Sequence, residues 1–278
     1  QFLAMSRRSA FEIIRDPLVT AIKFMTSIFF ALVFGSIYFK LDPTTQVGVQ
    51  DISGALFIFV TNNTFSNMFP VITVFAAATP LFLREHWNGL YRTDVYFISR
   101  NIIELPLYIL LPVTYVTINY YMVGLRPEPE YFFSHMLIQV LVANIAVSYG
   151  YMISCMAKDH TTAMVLSTPL LFPIFLFGGF YVQAGTIPVY LEWISYLSWF
   201  KYAYECLSII QWHNLPLGNC NITSDPLQDL CPTGDDVLDG LGFDPDMYYI
   251  NIGAMVALLV GFRIIAYLFL LLKTYRRN

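Results

Sequence analysis

Charge is what this sequence lacks most. Asp, Glu, Lys and Arg make up 12% of its 278 residues, where soluble domains carry about 25%. Apolar residues supply 57% and aromatics 17%, with a mean hydropathy of +0.59. That balance excludes an ordinary water-soluble domain and implies a membrane protein. Catalytic signatures are scarce too. No glycine-rich loop ends in Gly-Lys-Ser/Thr, so no residue set here can cradle a triphosphate. There is no His-Glu-x-x-His, and His86, His135, His160 and His213 are scattered, so no metal site and no catalytic residue is expected. No nucleic-acid partner is expected either. The chain opens on Gln1, and no small-residue cleavage site follows Arg7, Arg8 and Arg15, which reads as part of a longer protein and not as a signal peptide.

What is present is a series of long apolar runs. Six spans are expected, at Leu18–Phe39, Ser53–Thr79, Asn101–Val123, Tyr131–Ala157, Thr161–Val182 and Tyr249–Leu272. Each can cross ~30 Å of hydrocarbon as a helix. The expected fold is an all-α membrane protein of six transmembrane helices. Residues 1–17 form an amphipathic helix ahead of them, with Phe2, Met5, Phe11 and Ile14 at helical spacing. Residues 18–182 hold the first five spans, 183–248 a long external loop, and 249–278 the last span with a basic tail.

Residues 80–100 interrupt the apolar pattern. They mix Arg84, Glu85, His86, Arg92, Asp94 and Arg100 with Trp87, Tyr91, Tyr96 and Phe97. Such a mixture suits a helix at the membrane surface that docks onto another protein; a plain solvated loop is the blander reading. Lys and Arg also give orientation. Arg7, Arg8, Arg15, Arg84, Arg92, Arg100, Lys158, Lys273, Arg276 and Arg277 fall on one side of six spans, and only Lys40, Arg126 and Lys201 on the other. Both termini are therefore expected in the cytoplasm.

The external loop is acidic. Its first half is aromatic and helical in pattern, either re-entrant or lying at the outer surface. Its second half, Asn214 to Asp246, is rich in Pro, Gly and Asp. Cys220 and Cys231 flank ten residues there, which favours a disulfide between them and leaves Cys206 free or paired across a subunit interface. Cys155 reads as a buried thiol. Asn221-Ile222-Thr223 is a glycosylation sequon. Asp225, Asp229, Asp235, Asp236 and Asp239 could in principle hold Mg²⁺ in a membrane-embedded enzyme, but no basic residue stands near to grip a diphosphate.

Two features bear on transport. The second span carries Thr61, Asn62, Asn63, Thr64, Ser66 and Asn67 among Phe57, Phe59, Phe65 and Phe69. Buried amides either bond between helices or act as handles in a substrate cavity. Ionisable residues within spans are few: Lys23, Glu104 and Arg263, all near span ends. Without a midplane carboxylate or an internal repeat, ion-coupled transport is disfavoured and the energy should come from another domain.

Taken together, TQVGVQDISGALFIFVTNNTFSNMF (Thr45–Phe69), LREHWNGLYRTDVYF (Leu83–Phe97), IIELPLYILLP (Ile102–Pro112), FLFGGFYVQAGTIPVYLEWISYLSWFKYAYE (Phe175–Glu205) and LLLKTYRRN (Leu270–Asn278) carry a resemblance. The chain resembles the transmembrane domain of ABC transporters of subfamily G, the White and sterolin half-transporters, over essentially its whole length and closest to the White branch. The resemblance implies an ATP-binding domain upstream holding ATP and Mg²⁺, a homo- or heterodimer in a plasma or vesicle membrane, and a small-molecule substrate such as a pigment precursor. Sterol or lipid export is the alternative within the family. It makes residues 1–16 a connecting helix and Leu83–Tyr91 a coupling helix, with Arg84, Glu85, Arg92 and Glu104 in coupling. It points to a substrate cavity at Phe57, Asn62, Phe65, Thr168, Phe172 and Phe175. Phe180 and Tyr181 fall where relatives keep an apolar plug, here with bulkier aromatics than the leucines of some drug exporters.

Overall fold

A computed structural model describes residues 2–15, 17–182, 188–217 and 233–275. They form ten helices: α1 (Phe2–Arg15), α2 (Pro17–Ile37), α3 (Gln46–Trp87), α4 (Thr93–Val123), α5 (Pro129–Met156), α6 (His160–Leu176), α7 (Glu192–Tyr196), α8 (Trp199–Trp212), α9 (Gly234–Leu241) and α10 (Tyr248–Tyr275). Among the described residues the only β feature is a single bridge, Pro216 with Thr233. Five helices, α2, α3, α4, α5 and α10, are long and apolar enough to cross a membrane. The all-helical membrane architecture read from the sequence is thus present.

Two boundaries depart from expectation. The fifth span was expected to run to Val182, yet α6 stops at Leu176 and has only 17 residues. The chain turns there through Gly178 and Gly179, and Gly179 has φ +83°, a left-handed conformation that resists any side chain. The second departure is larger. α3 does not end at Pro80 but runs 42 residues through Pro70 and Pro80, about 63 Å at 1.5 Å per residue. Around the two prolines, Thr73 and Thr79 hydroxyls donate back to the carbonyls of Phe69 and Phe75. The surface helix expected over residues 80–100 is therefore no separate element. It is the last two turns of α3, a turn at residues 88–92, and the start of α4.

Helix ends follow local chemistry. Thr45 caps α3 by accepting from the Gly48 N–H at 3.1 Å, and Asp159 caps α6 from Thr162. Thr233 and Asp236 form a reciprocal capping box on α9. Ser198 caps α8 and also donates to the Ile174 carbonyl at 2.6 Å, tying α8 to the end of α6.

α5 is the centre of the bundle, packed on α3, α4, α8 and α10. Gly150 makes this possible: a Cβ there would stand 3.2 Å from the Met68 carbonyl oxygen of α3. α2 packs chiefly on α4 and leaves Leu18, Ile22, Met25 and Phe29 exposed. α8 is inserted against α5, α10 and α3, with Trp199, Phe200, Tyr204 and Trp212 fully buried. One end of the bundle gathers α1 with the C-termini of α3, α5 and α10. Arg8 pairs with Glu85, Trp87 Nε1 donates to Thr274 O, and Lys273 donates to Ala157 O. The opposite end joins Lys40 and Leu41 to the end of α4, and Arg126 to the carbonyl of His213.

Cys206 is fully buried in α8, its thiol 3.7 Å from the Tyr248 carbonyl, and is free. Cys155 is buried and free as well. Cys220, Cys231 and Asn221 lie outside the described residues. A membrane-permeant maleimide should accordingly leave Cys155 and Cys206 unmodified in the folded protein and label both after denaturation. Mass mapping checks this, and rapid native labelling of Cys206 would contradict its burial.

Candidate substrate site

The polar run of α3 divides by helix face. Asn63 donates to both the backbone and side-chain oxygens of Gln139 on α5, at 2.7 and 2.8 Å, and Asn67 donates to Asn63. Thr64 accepts from Trp199 Nε1 of α8 at 3.3 Å. The Asn63 and Thr64 bonds are buried and interhelical, the blander of the two readings, and they fix α3 against α5 and α8, while Asn67 braces Asn63 within α3. Asn62 and Ser66 turn the other way, into a cavity bounded by α2, α3 and α4.

The remaining face of α3 is aromatic. Phe57 is 2% exposed and is the hub. Its ring stacks on Phe180 at 4.8 Å and meets Phe175 and Tyr181 at 5.5 Å each. Phe65 reaches Phe175 at 6.3 Å, and Phe172 reaches Phe175 at 6.5 Å. Four of the six expected cavity residues are thus linked ring to ring, with Phe180 and Tyr181 over them. The other two are not. Asn62 faces the α2–α4 side, while Thr168 is exposed on α6. Sequence reasoning missed Phe200 and Tyr204, which meet Phe57 at 6.4 and 5.6 Å from α8. Their spacing of four residues in SYLSWFKYAYE was the available signal.

Gly178 sets this geometry. A Cβ there would lie 2.9 Å from Phe200 Cβ and 3.0 Å from Phe57 Cε2. Only a glycine lets the turn after α6 press onto α3 and α8, bringing Phe180 over Phe57. What results is an aromatic surface with one exposed side: Phe172 is 56% and Tyr181 57% exposed. Chemically it offers flat, apolar contact area to a planar molecule.

The ABC-2 type transporter family model matches residues 1–212, from α1 to the end of α8. The chain belongs to the ABC-2 type transporter family. Among curated proteins this transporter chain is 39% identical to Protein white of Ceratitis capitata and to Protein white of Drosophila melanogaster, over its full length in both cases. It is 36% identical to the ABC transporter ATP-binding protein/permease wht-1 of Caenorhabditis elegans. The chain spans only 41%, 40% and 42% of those three proteins. It is the membrane domain of an ABC-2 transporter, similar to White and other subfamily G proteins.

In this ABC-2 membrane domain the expected coupling residues lie in different settings. Glu85 takes a two-pronged bond from Arg8 of α1, at 3.0 and 3.1 Å, and a third from the Tyr91 hydroxyl at 2.6 Å. Burial and then the Glu85 carboxylate raise the Tyr91 phenol well above its usual range, so it stays a donor. Arg84 is exposed on the neighbouring position. Arg92 pairs with Asp94 at the surface, 2.8 Å apart. Glu104 is elsewhere, about 16 Å along α4 from its start. It accepts from Arg100 at 2.8 Å and from Tyr151 of α5 at 2.6 Å. Glu104 therefore ties α4 to α5 inside the bundle.

The acidic loop has structural partners where it is described. Asp235 bonds His213 Nδ1 at 2.9 Å and the Asn214 N–H at 3.4 Å, and Asp236 caps α9. Asp225 and Asp229 lie outside the described residues.

Proposed function

We propose that this chain is the membrane part of an ATP-driven half-transporter of subfamily G, which moves small planar organic molecules such as pigment precursors. The observation that carries the reading is the half-open aromatic surface around Phe57 and Phe175. The sequence similarity to White proteins supports it, as does the name of the wht-1 relative, which joins ATP binding to a permease. In this reading α6 is the fifth of six crossings, and two chains face each other across α3 and α6, enclosing the exposed Phe172 and Thr168. Both termini are cytoplasmic. An ATP-binding domain, with its ATP and Mg²⁺, docks on the end where α1 meets the C-termini of α3 and α10.

The full-length protein in sealed vesicles tests this. ATP-dependent uptake of a tryptophan or guanine derivative is expected, and uptake of sterol alone would favour the lipid reading. Phe65→Ala and Phe172→Ala should change substrate preference several-fold while leaving surface expression intact, because an aromatic wall orients a planar ligand. If both variants transport normally, the cavity assignment fails.

Glu85→Arg should uncouple the transporter without unfolding it. Arg8 is 42% exposed in its pair with Glu85, so the pair contributes only ~0–1 kcal/mol to stability. Its value is geometric: it holds α1 on the last turn of α3. Substrate-stimulated ATP hydrolysis should fall, with substrate binding retained, when both are measured on one preparation.

A further inference from the structure

The cavity between α2, α3 and α4 is separate from the aromatic surface, although Phe65 borders both. Its volume is about 390 Å³, within the range of small-molecule sites, roughly 300–1,000 Å³. Its walls are chemically graded. Phe30, Phe65 and Phe69 supply an apolar middle, with the last two rings stacked at 5.7 Å. At one end stands Tyr115, 3% exposed, whose hydroxyl has no hydrogen-bond partner. The Asn62 and Asn119 side chains stand beside that hydroxyl. Asn119, one helical turn on and 1% exposed, has neither its amide oxygen nor its nitrogen satisfied. Buried donors and acceptors of this kind normally have partners.

The other end holds Lys23. Its ammonium lies over the Tyr108 ring at 5.6 Å, and among the described residues no carboxylate pairs with it. Glu104 is nearby but its two oxygens are engaged by Arg100 and Tyr151. Lys23, Arg100 and Glu104 leave one net positive charge beside an apolar cleft, a setting that favours an anion. Ile22 and Thr26 at the rim are exposed, which opens the cavity toward the bilayer side of α2.

We propose that this cavity binds a small amphipathic organic acid, with its carboxylate at Lys23, its apolar body between Phe30, Phe65 and Phe69, and a hydroxyl or carbonyl end at Tyr115. The site is complete within one chain and does not depend on ATP or on transport, so it stands or falls separately from the proposed function.

The test uses full-length, nucleotide-free protein in lipid nanodiscs and a photoreactive dodecanoic acid. Label should map to peptides of α2, α3 and α4 and be displaced by dodecanoic acid. ω-Hydroxydodecanoic acid should compete about fivefold better, the worth of one net hydrogen bond. Lys23→Gln should weaken both acids about tenfold but not dodecanamide, since the amide makes no ion pair. Tyr115→Phe should erase the preference for the ω-hydroxy acid while dodecanoic acid still binds. Retained dodecanamide competition shows that each variant is folded. Label spread evenly over the lipid-facing surface of α10 and unaffected by Lys23→Gln would overturn the proposal. Cholesterol displacing the label as well as dodecanoic acid does would also overturn it, because the site would then recognise a neutral lipid.

Discussion

Phe57→Ala should lower the stability of the membrane domain by about 3 kcal/mol, the low end for a buried phenylalanine. The low end applies because the hydrocarbon around the bundle is as apolar as the core, so little transfer energy is lost. What disappears is close packing with Phe175, Phe180, Tyr181, Phe200 and Tyr204, together with the edge-to-face geometry of Tyr181 and Tyr204. The cavity would sit under the turn at Gly178, so Phe180 and Tyr181 should lose their fixed positions. Thermal unfolding of the detergent-solubilised protein measures the first effect. ATP-dependent uptake measures the second and should drop more than for Phe65→Ala. Phe57→Leu should recover most of the stability and little of the transport, separating packing from stacking. An unchanged melting temperature in Phe57→Ala would show that the hub is not packed as described.

A loss of about 3–5 kcal/mol is expected for Glu104→Ala. The side chains of Arg100 and Glu104 are only 12% and 14% exposed, so solvent screens little of the charge left behind. Removing the carboxylate strands the Arg100 guanidinium and also orphans the Tyr151 hydroxyl. The paired change Arg100→Met with Glu104→Met should cost much less than Glu104→Ala alone, because no lone charge remains. Thermal unfolding of the single and double variants decides the matter. If the double variant is as unstable as the single one, the network acts through its shape and not through its charge.

These two residues also show where sequence reading reached and where it stopped. Glu104 was legible as an ionisable residue in a span, but its partner on α5 was not. The spacing of Arg100 and Glu104, four apart on α4, was visible; Tyr151, 47 residues later, was not. The amides of α3 were legible as a polar stripe, yet one sequence position decides which face each takes. Asn63 bonds Gln139 of α5 and borders the α2–α4 cavity as well, whereas Asn62 opens onto that cavity with no bond to α5. Phe200 and Tyr204 were overlooked because a short helix inserted between two apolar spans looks, in one dimension, like interfacial aromatics.

The sequence by itself determined the all-helical membrane class, the positions of five apolar helices and the resemblance to the membrane domain of subfamily G ABC transporters. Those follow from local composition: long apolar runs must bond their own backbones, and in lipid the helix is how a single run does so. Tertiary structure decided the rest. It carried α3 through Pro80, since packing against neighbouring helices holds the helix where a proline removes a bond. It ended α6 early, at glycines that let α8 approach. It also sorted the polar residues into those that hold helices together and those that line a cavity, because partners far apart in the chain meet only once the bundle has packed.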